Sequence, residues 1–323
     1  MSSIAMLPRG RALATIGAGL ATMLPSLGWA ATNADPIRIG FVPNADTYIE
    51  PKYALDGGFF KRAGLNVDVT PLQNAGAIAT ALAGGSLDVG LGSLNGIATA
   101  QSHGLPFAFF APGAVVTTKA PTSLLMVAKD SPITTAVQLE GKTIAVDLLS
   151  GLGQMGMLAW MTKNGGDITR VNFIEMPFSS MATALIGKKL DAAYLSEPTL
   201  SANRADLRVL GNPYGAIADE WYISLWYASL PWLQANNDTA HAIARVARET
   251  ALWANAHPEA TAPILSATTR IPLDVVARMT RARYADKLSP ALMQPVLDWA
   301  FKAHLLKTPV LSKNLIAPAF QDA

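Results

Sequence analysis

The chain has 323 residues, half of them apolar, no cysteine, and 25 Lys+Arg against 23 Asp+Glu, a formal charge of +2. One large or two medium domains fit this length, while disulfides, thiolate nucleophiles, cysteine-based metal sites and a lipid-modified N-terminal cysteine are excluded. Both excess charges, Arg9 and Arg11, fall in residues 1–30, so the remainder balances at 23 against 23 and has no net field for nucleic acid or an anionic membrane.

Residues 1–30 read as a secretory signal peptide. Arg9 and Arg11 form its basic part, 12–24 is an apolar run, and Gly28, Trp29 and Ala30 place small residues at the two positions a signal peptidase reads. The run is too short to span a bilayer. Cleavage after Ala30 would release an unanchored mature protein into the periplasm. From there, 36–42 reads as a buried strand ended by the loop Pro43-Asn44-Ala45-Asp46. A helix is predicted over 48–62, a strand over 66–70, a helix over 77–83, a strand over 87–91 and a helix over 93–102. A second series follows: strands 123–129 and 143–147, a helix 154–163, a strand 171–176, a helix 181–186 and a strand 190–195. After 214 the pattern changes. One strand, 221–228, precedes helices predicted over 238–256, 258–268, 272–284 and 290–304, with prolines at their starts, where a missing N–H costs nothing.

The two series share a written frame. Ala79-Thr80-Ala81-Leu82, Gly84, Leu87-Asp88 and Ser93 return as Ala182-Thr183-Ala184-Leu185, Gly187, Leu190-Asp191 and Ser196. A helix stop and a strand start repeated in this way predict one architecture used twice. The expected fold is α/β and two-lobed, each lobe a mainly parallel sheet flanked by helices. Residues 31–116 open lobe 1, 117–215 form lobe 2, and 216–323, mostly helical, return to lobe 1. The two hinge crossings fall near 112–120 and 211–219.

Several segments resemble the periplasmic solute-binding proteins of ABC importers, in the group for nitrate, taurine, aliphatic sulfonates and thiamine pyrimidine precursors. They are 37–44; Gly58, Phe60, Gly64 and Leu65; Asp88-Val89-Gly90; Leu139, Gly141, Lys142, Ile144, Ala145 and Val146; Asp191, Ala192, Glu197 and Pro198; and the junction 253–259. The resemblance implies the type 2 periplasmic-binding-protein fold and capture of a small polar organic solute, sulfonate- or pyrimidine-precursor-like, by hinge closure. It also implies a monomer that delivers to an ABC permease and its ATPase.

In an open α/β sheet, ligands meet the carboxyl ends of strands, where helix N-termini offer free N–H groups. The candidate contacts there are Asn44, Asp46, Tyr48, Asn74, Ser93 and Asn95 in lobe 1, and Ser150, Gly151, Gly153, Ser179 and Glu197 in lobe 2. Trp221 and Tyr222 are the aromatic candidates on the returning strand, and Phe178 could add stacking surface. Glu197 ends a buried strand before Pro198, and its family position points it at the cleft. A carboxylate there would favour an amine, an amidine-like ring edge or a hydroxyl over a bare oxyanion. No cofactor or metal is implied. The alternative is a two-lobed enzyme of the same fold, a pyrimidine-precursor synthase or a small-molecule lyase. Against it, His103, His241, His257 and His304 all lie away from strand-end loops, and Gly151 and Gly153 lack the third glycine of a dinucleotide site.

Overall fold

The computed structural model describes residues 35–321; the predicted signal peptide lies outside them. The chain runs β1 (Ile37–Phe41), α1 (Glu50–Asp56), α2 (Phe59–Arg62), β2 (Val67–Pro71), α3 (Ala75–Ala83), β3 (Val89–Gly92), α4 (Leu94–Ser102), β4 (Phe107–Ala111) and β5 (Ala114–Thr117). Next come β6 (Ser123–Ala128), β7 (Thr143–Val146), α5 (Leu152–Lys163), β8 (Asn172–Glu175), α6 (Phe178–Ile186), β9 (Ala192–Ser196), α7 (Thr199–Ala202) and β10 (Leu207–Gly211). The chain ends with β11 (Glu220–Tyr222), β12 (Leu225–Ser229), α8 (Leu230–Ala235), α9 (Asn237–Ala256), α10 (Pro258–Thr269), α11 (Leu273–Arg278), β13 (Arg283–Tyr284) and α12 (Pro290–Lys302).

Two five-stranded sheets follow one plan. The first is ordered β2-β1-β3-β12-β4 and the second, read from its far edge, β8-β7-β9-β6-β10. In each, a central strand is parallel to both neighbours, and the last two strands are antiparallel additions. In the first sheet β12 is the returning C-terminal strand; in the second the corresponding strand, β6, comes first in the series. A small third sheet, β11-β5-β13, joins the segments that leave and re-enter the first sheet, and β5 and β11 lie side by side.

The aspartate of the sequence repeat does the same job twice. The Arg38 backbone N–H donates to Asp88 Oδ2 at 2.9 Å, and the Thr143 backbone N–H donates to Asp191 Oδ2 at 2.9 Å. The Asp88 and Asp191 amides return bonds to the Arg38 and Thr143 carbonyls. Each aspartate therefore pins the start of its neighbouring parallel strand, which explains why Leu-Asp recurs at one place in both series.

The predicted helix 48–62 breaks at Gly57 and Gly58. Gly58 takes φ +73°, and a side chain on Gly57 would meet the Tyr53 carbonyl at 2.8 Å, so the chain turns between α1 and α2. The predicted strand 221–228 splits into β11 and β12 at Ile223 and Ser224, where the Ser224 hydroxyl donates to the Thr47 carbonyl at 2.6 Å. One apolar core runs beneath both large sheets. A smaller one, with Leu125, Ile144, Met157 and Met161, lies under the second. Among the described residues, no helix is long and apolar enough to cross a membrane.

Candidate functional site

The strand ends of the two large sheets meet at a narrow cavity with about 30 Å³ of room for water-sized groups. On the first-sheet side lie Asn74 and Ala75 at the start of α3, Ser93 before α4, and Tyr48 in the turn after β1. On the second-sheet side lie Asp147 after β7, Gly151 before α5 and Phe178 at the start of α6. Period-two alternation in β9 puts Tyr194 and Ser196 on one face, and both line the cavity, with Ser123 of β6 paired to Ser196. Tyr214 and Ile223, from the returning crossing, close one wall. Among the described residues, no lysine, arginine or histidine lines the cavity.

Among the described residues, the one formal charge on its wall is Asp147. Burial pushes its carboxyl up to about 6, with Glu175 adding in the same direction; N–H groups of its own residue and of Leu148 hold it back. At neutral pH it is mostly an anion. Gly153 stands directly behind it: a Cβ there would come within 3.1 Å of Asp147 Oδ1 and 2.9 Å of the Tyr194 ring. Burial, with the charge of Asp147 adding, pushes the hydroxyls of Tyr48, Tyr194 and Tyr214 up, so all three stay protonated. The Tyr48 hydroxyl donates to the Ile223 carbonyl at 2.9 Å. The Tyr194 hydroxyl, buried beside Ser123 and Tyr214, makes no hydrogen bond of ordinary geometry. Tyr194 lies between Phe178 and Tyr214, with ring centroids 6.3 and 5.1 Å away.

Of the residues singled out from the sequence, Tyr48, Asn74, Ser93 and Gly151 line this cavity, as does Phe178. Gly153 backs it. Asn74 also caps α3, accepting from the Ala77 N–H, and its Nδ2 donates across to the Asp147 carbonyl at 3.3 Å. Asn95 and Ser150 meet each other instead: Asn95 Nδ2 donates to the Ser150 carbonyl at 3.0 Å, another bond between the two sheets' strand-end loops. Asn44 and Ser179 meet in a separate polar groove with Thr183, Thr199 and Asn203.

Four candidates turn into the protein. Asp46 is fully buried, held by Arg281 Nε at 3.0 Å, the Tyr53 hydroxyl at 2.6 Å and the Ala282 N–H at 2.8 Å. Glu197 is fully buried and accepts from the Ser201 N–H at 3.0 Å and the Ser201 hydroxyl at 2.8 Å; burial pushes its carboxyl up against these bonds. The Trp221 Nε1 donates to the Tyr214 carbonyl at 3.3 Å, with its ring edge-on to Tyr214 at 4.8 Å, so it supports the wall from behind. The Tyr222 hydroxyl donates to the Lys287 carbonyl and accepts from the Ser289 N–H. Asp147, and not Glu197, is the carboxylate that lines the cavity. That residue was readable as the last of a predicted strand, the position where contacts were sought, and Ser196 was readable as the partner of Ser93 in the repeat.

This fold, two α/β sheets meeting at their strand ends around one cavity, is that of the periplasmic binding proteins. The nitrate-binding protein NrtA of Synechocystis PCC 6803 shares it at a TM-score of 0.75, with 15% identity over 90% of this chain and 87% of that one. The aliphatic sulphonate binding protein SsuA of Escherichia coli shares it at 0.70, with 19% identity over 88% of this chain and 92% of that one. A putative ABC transporter periplasmic binding protein of Brachyspira hyodysenteriae is 25% identical over 183 residues, 54% of this chain and 52% of that protein. The aligned part thus spans about half the length of that relative. The model of the NMT1/THI5-like family matches residues 48–261, and the chain belongs to that family.

Proposed function

We propose that this chain is the solute-binding component of an ABC importer. It works in the periplasm, released by cleavage of the leader, and takes a small polar organic solute into the cavity between its two sheets. The observation that carries this reading is that both sheets contribute strand-end residues to one cavity and also bond directly across it, through Asn74 to Asp147 and Asn95 to Ser150. A solute touching both walls favours the closed arrangement over the open one by its differential contacts. The closed form is the one that a permease, with its ATPase, would accept. The two solved neighbours bind nitrate and aliphatic sulphonates, and a cavity with an aspartate and no cationic side chain suits neither ion alone.

Binding without chemistry is the expected behaviour. Native mass spectrometry of the protein purified from its own cells should detect a bound solute, and that solute should raise Tm while being recovered unchanged. Consumption of the solute with steady release of a product would make the chain an enzyme instead.

A further inference from the structure

The carboxylate at the cavity lies in aromatic surroundings. Asp147 sits beside the rings of Tyr48, Tyr194 and Tyr214, with Phe178 next to Tyr194. A half-buried carboxylate facing a cavity favours a cationic partner, and no positively charged side chain among the lining residues supplies one. Helix N-termini also meet here and would ordinarily favour an anion. Along the loop before α5, however, three N–H groups are already used. That of Leu149 goes to Glu175 Oε2 at 3.1 Å, that of Ser150 to Gln154 Oε1 at 2.7 Å, and that of Gly151 to the Leu148 carbonyl at 3.1 Å. At α3 the Ala77 N–H goes to Asn74. Beside the first N–H groups of α3 and α5, the cavity holds a negative charge, ring surface that attracts cations through its π-face, and a buried tyrosine hydroxyl without a strong partner.

We propose that the cavity selects a small organic ammonium ion, its charged nitrogen set against Asp147 and its carbons against Tyr48, Phe178, Tyr194 and Tyr214. This rests on the solute-binding reading and specifies its ligand class. A charge-assisted contact in a desolvated site holds the nitrogen, and the rings remove the carbons from water. Solutes carrying only a nitrate or sulfonate group meet Asp147 as a like charge and are rejected.

The test uses the purified chain with choline, ethanolamine and agmatine as cationic probes, and isethionate and nitrate as anionic ones, read by calorimetry and thermal shift. At least one ammonium should bind, and neither anion should. Asp147→Asn, which keeps the shape and removes the charge, should weaken the binding ammonium by about tenfold or more. Tyr194→Phe, which keeps the ring, should weaken it by only a few-fold. Circular dichroism and Tm of each variant exclude a folding defect. Binding of isethionate or nitrate, unaffected by Asp147→Asn, overturns the ammonium proposal and leaves the solute-binding reading standing. So does a co-purified solute that is neutral or purely anionic. Failure of all three ammonium probes also counts against the proposal. Turnover of a bound solute overturns the solute-binding reading itself.

Discussion

Glu50 is the most unusual acid outside the cavity. Its Oε2 accepts from Trp226 Nε1 at 2.8 Å, its Oε1 is buried without a partner, and burial pushes the carboxyl up to about 8. The folded state therefore holds a proton that the unfolded chain loses from about 4.5 upward. Folded protein binds more protons than unfolded across that window, so stability falls as pH rises through it and levels off above 8. Asp147 acts with the same sign but only up to about 6, which leaves the range from 6 to 8 to Glu50. Glu50→Gln, which keeps the acceptor for Trp226, should leave Tm nearly unchanged at pH 5 and raise it at pH 9, flattening the slope between 6 and 8. Equal slopes in the two proteins would show that Glu50 is ionised in the fold. The acids also show where sequence reading stops. Asp46, Glu50, Asp147 and Glu197 all follow strands that point toward the cleft. Three of them turn to protein partners: Trp226, Ser201 and, for Asp46, an arginine 235 residues further along the chain. Pattern and spacing reveal a strand end, but not whether a distant guanidinium returns to neutralise what stands there.

The two architectural aspartates belong to the scale of elements. Asp88 takes three bonds from Arg38, through its backbone N, Nε and Nη2, at 2.7 to 3.0 Å. Asp191 takes the Thr143 N–H, with Lys142 Nζ further off at 3.8 Å. Removing either carboxylate leaves a strand-start N–H without its partner, at a cost of about 1–3 kcal/mol. Urea unfolding should therefore rank Asp88→Ala as more destabilising than Asp191→Ala, with solute affinity nearly unchanged in both, since neither lines the cavity. The reverse order would mean that the side-chain bonds of Arg38 add nothing. The repeat that exposed these aspartates made most elements readable, because helix stops and apolar strands are local features. β4, β5 and β10 were not among the expected strands; β4 gains its ladder from β12, far along the chain. β5 lies among the Gly and Pro of a crossing and gains its ladder from β11 and β13, far along the chain. β10 alternates partly exposed residues at a sheet edge. α11 stops at Arg278, short of the predicted 284, because Arg281 and Ala282 are drawn to Asp46 and Arg283 and Tyr284 pair with β5.

At the scale of the whole molecule, the question is what holds the two sheets together across the cleft. Among the described residues, three bonds do so directly: Asn74 Nδ2 to the Asp147 carbonyl, Asn95 Nδ2 to the Ser150 carbonyl, and the Asp46 N–H to the Glu197 carbonyl at 3.3 Å. The third is main-chain on both sides and cannot be deleted by substitution. Asn74 lines the cavity, so a change there would mix closure with ligand contact. Asn95 is buried and outside the lining, which makes it the clean probe. Its loss removes a bond with a net worth of about 1 kcal/mol, partly offset because its Oδ1, buried without a partner, goes with it. The closed-to-open ratio should then fall roughly two- to fivefold. Small-angle scattering of the solute-free chain should give a larger radius of gyration for Asn95→Ala than for the parent, and added solute should bring the two curves together. Solute should also dissociate faster from the variant, since every contact it makes is intact and only the closure that retains it is weakened. Superimposable solute-free curves and equal dissociation rates would show that the Asn95–Ser150 bond adds nothing to closure, leaving Asn74 and the main-chain pair to hold the halves together.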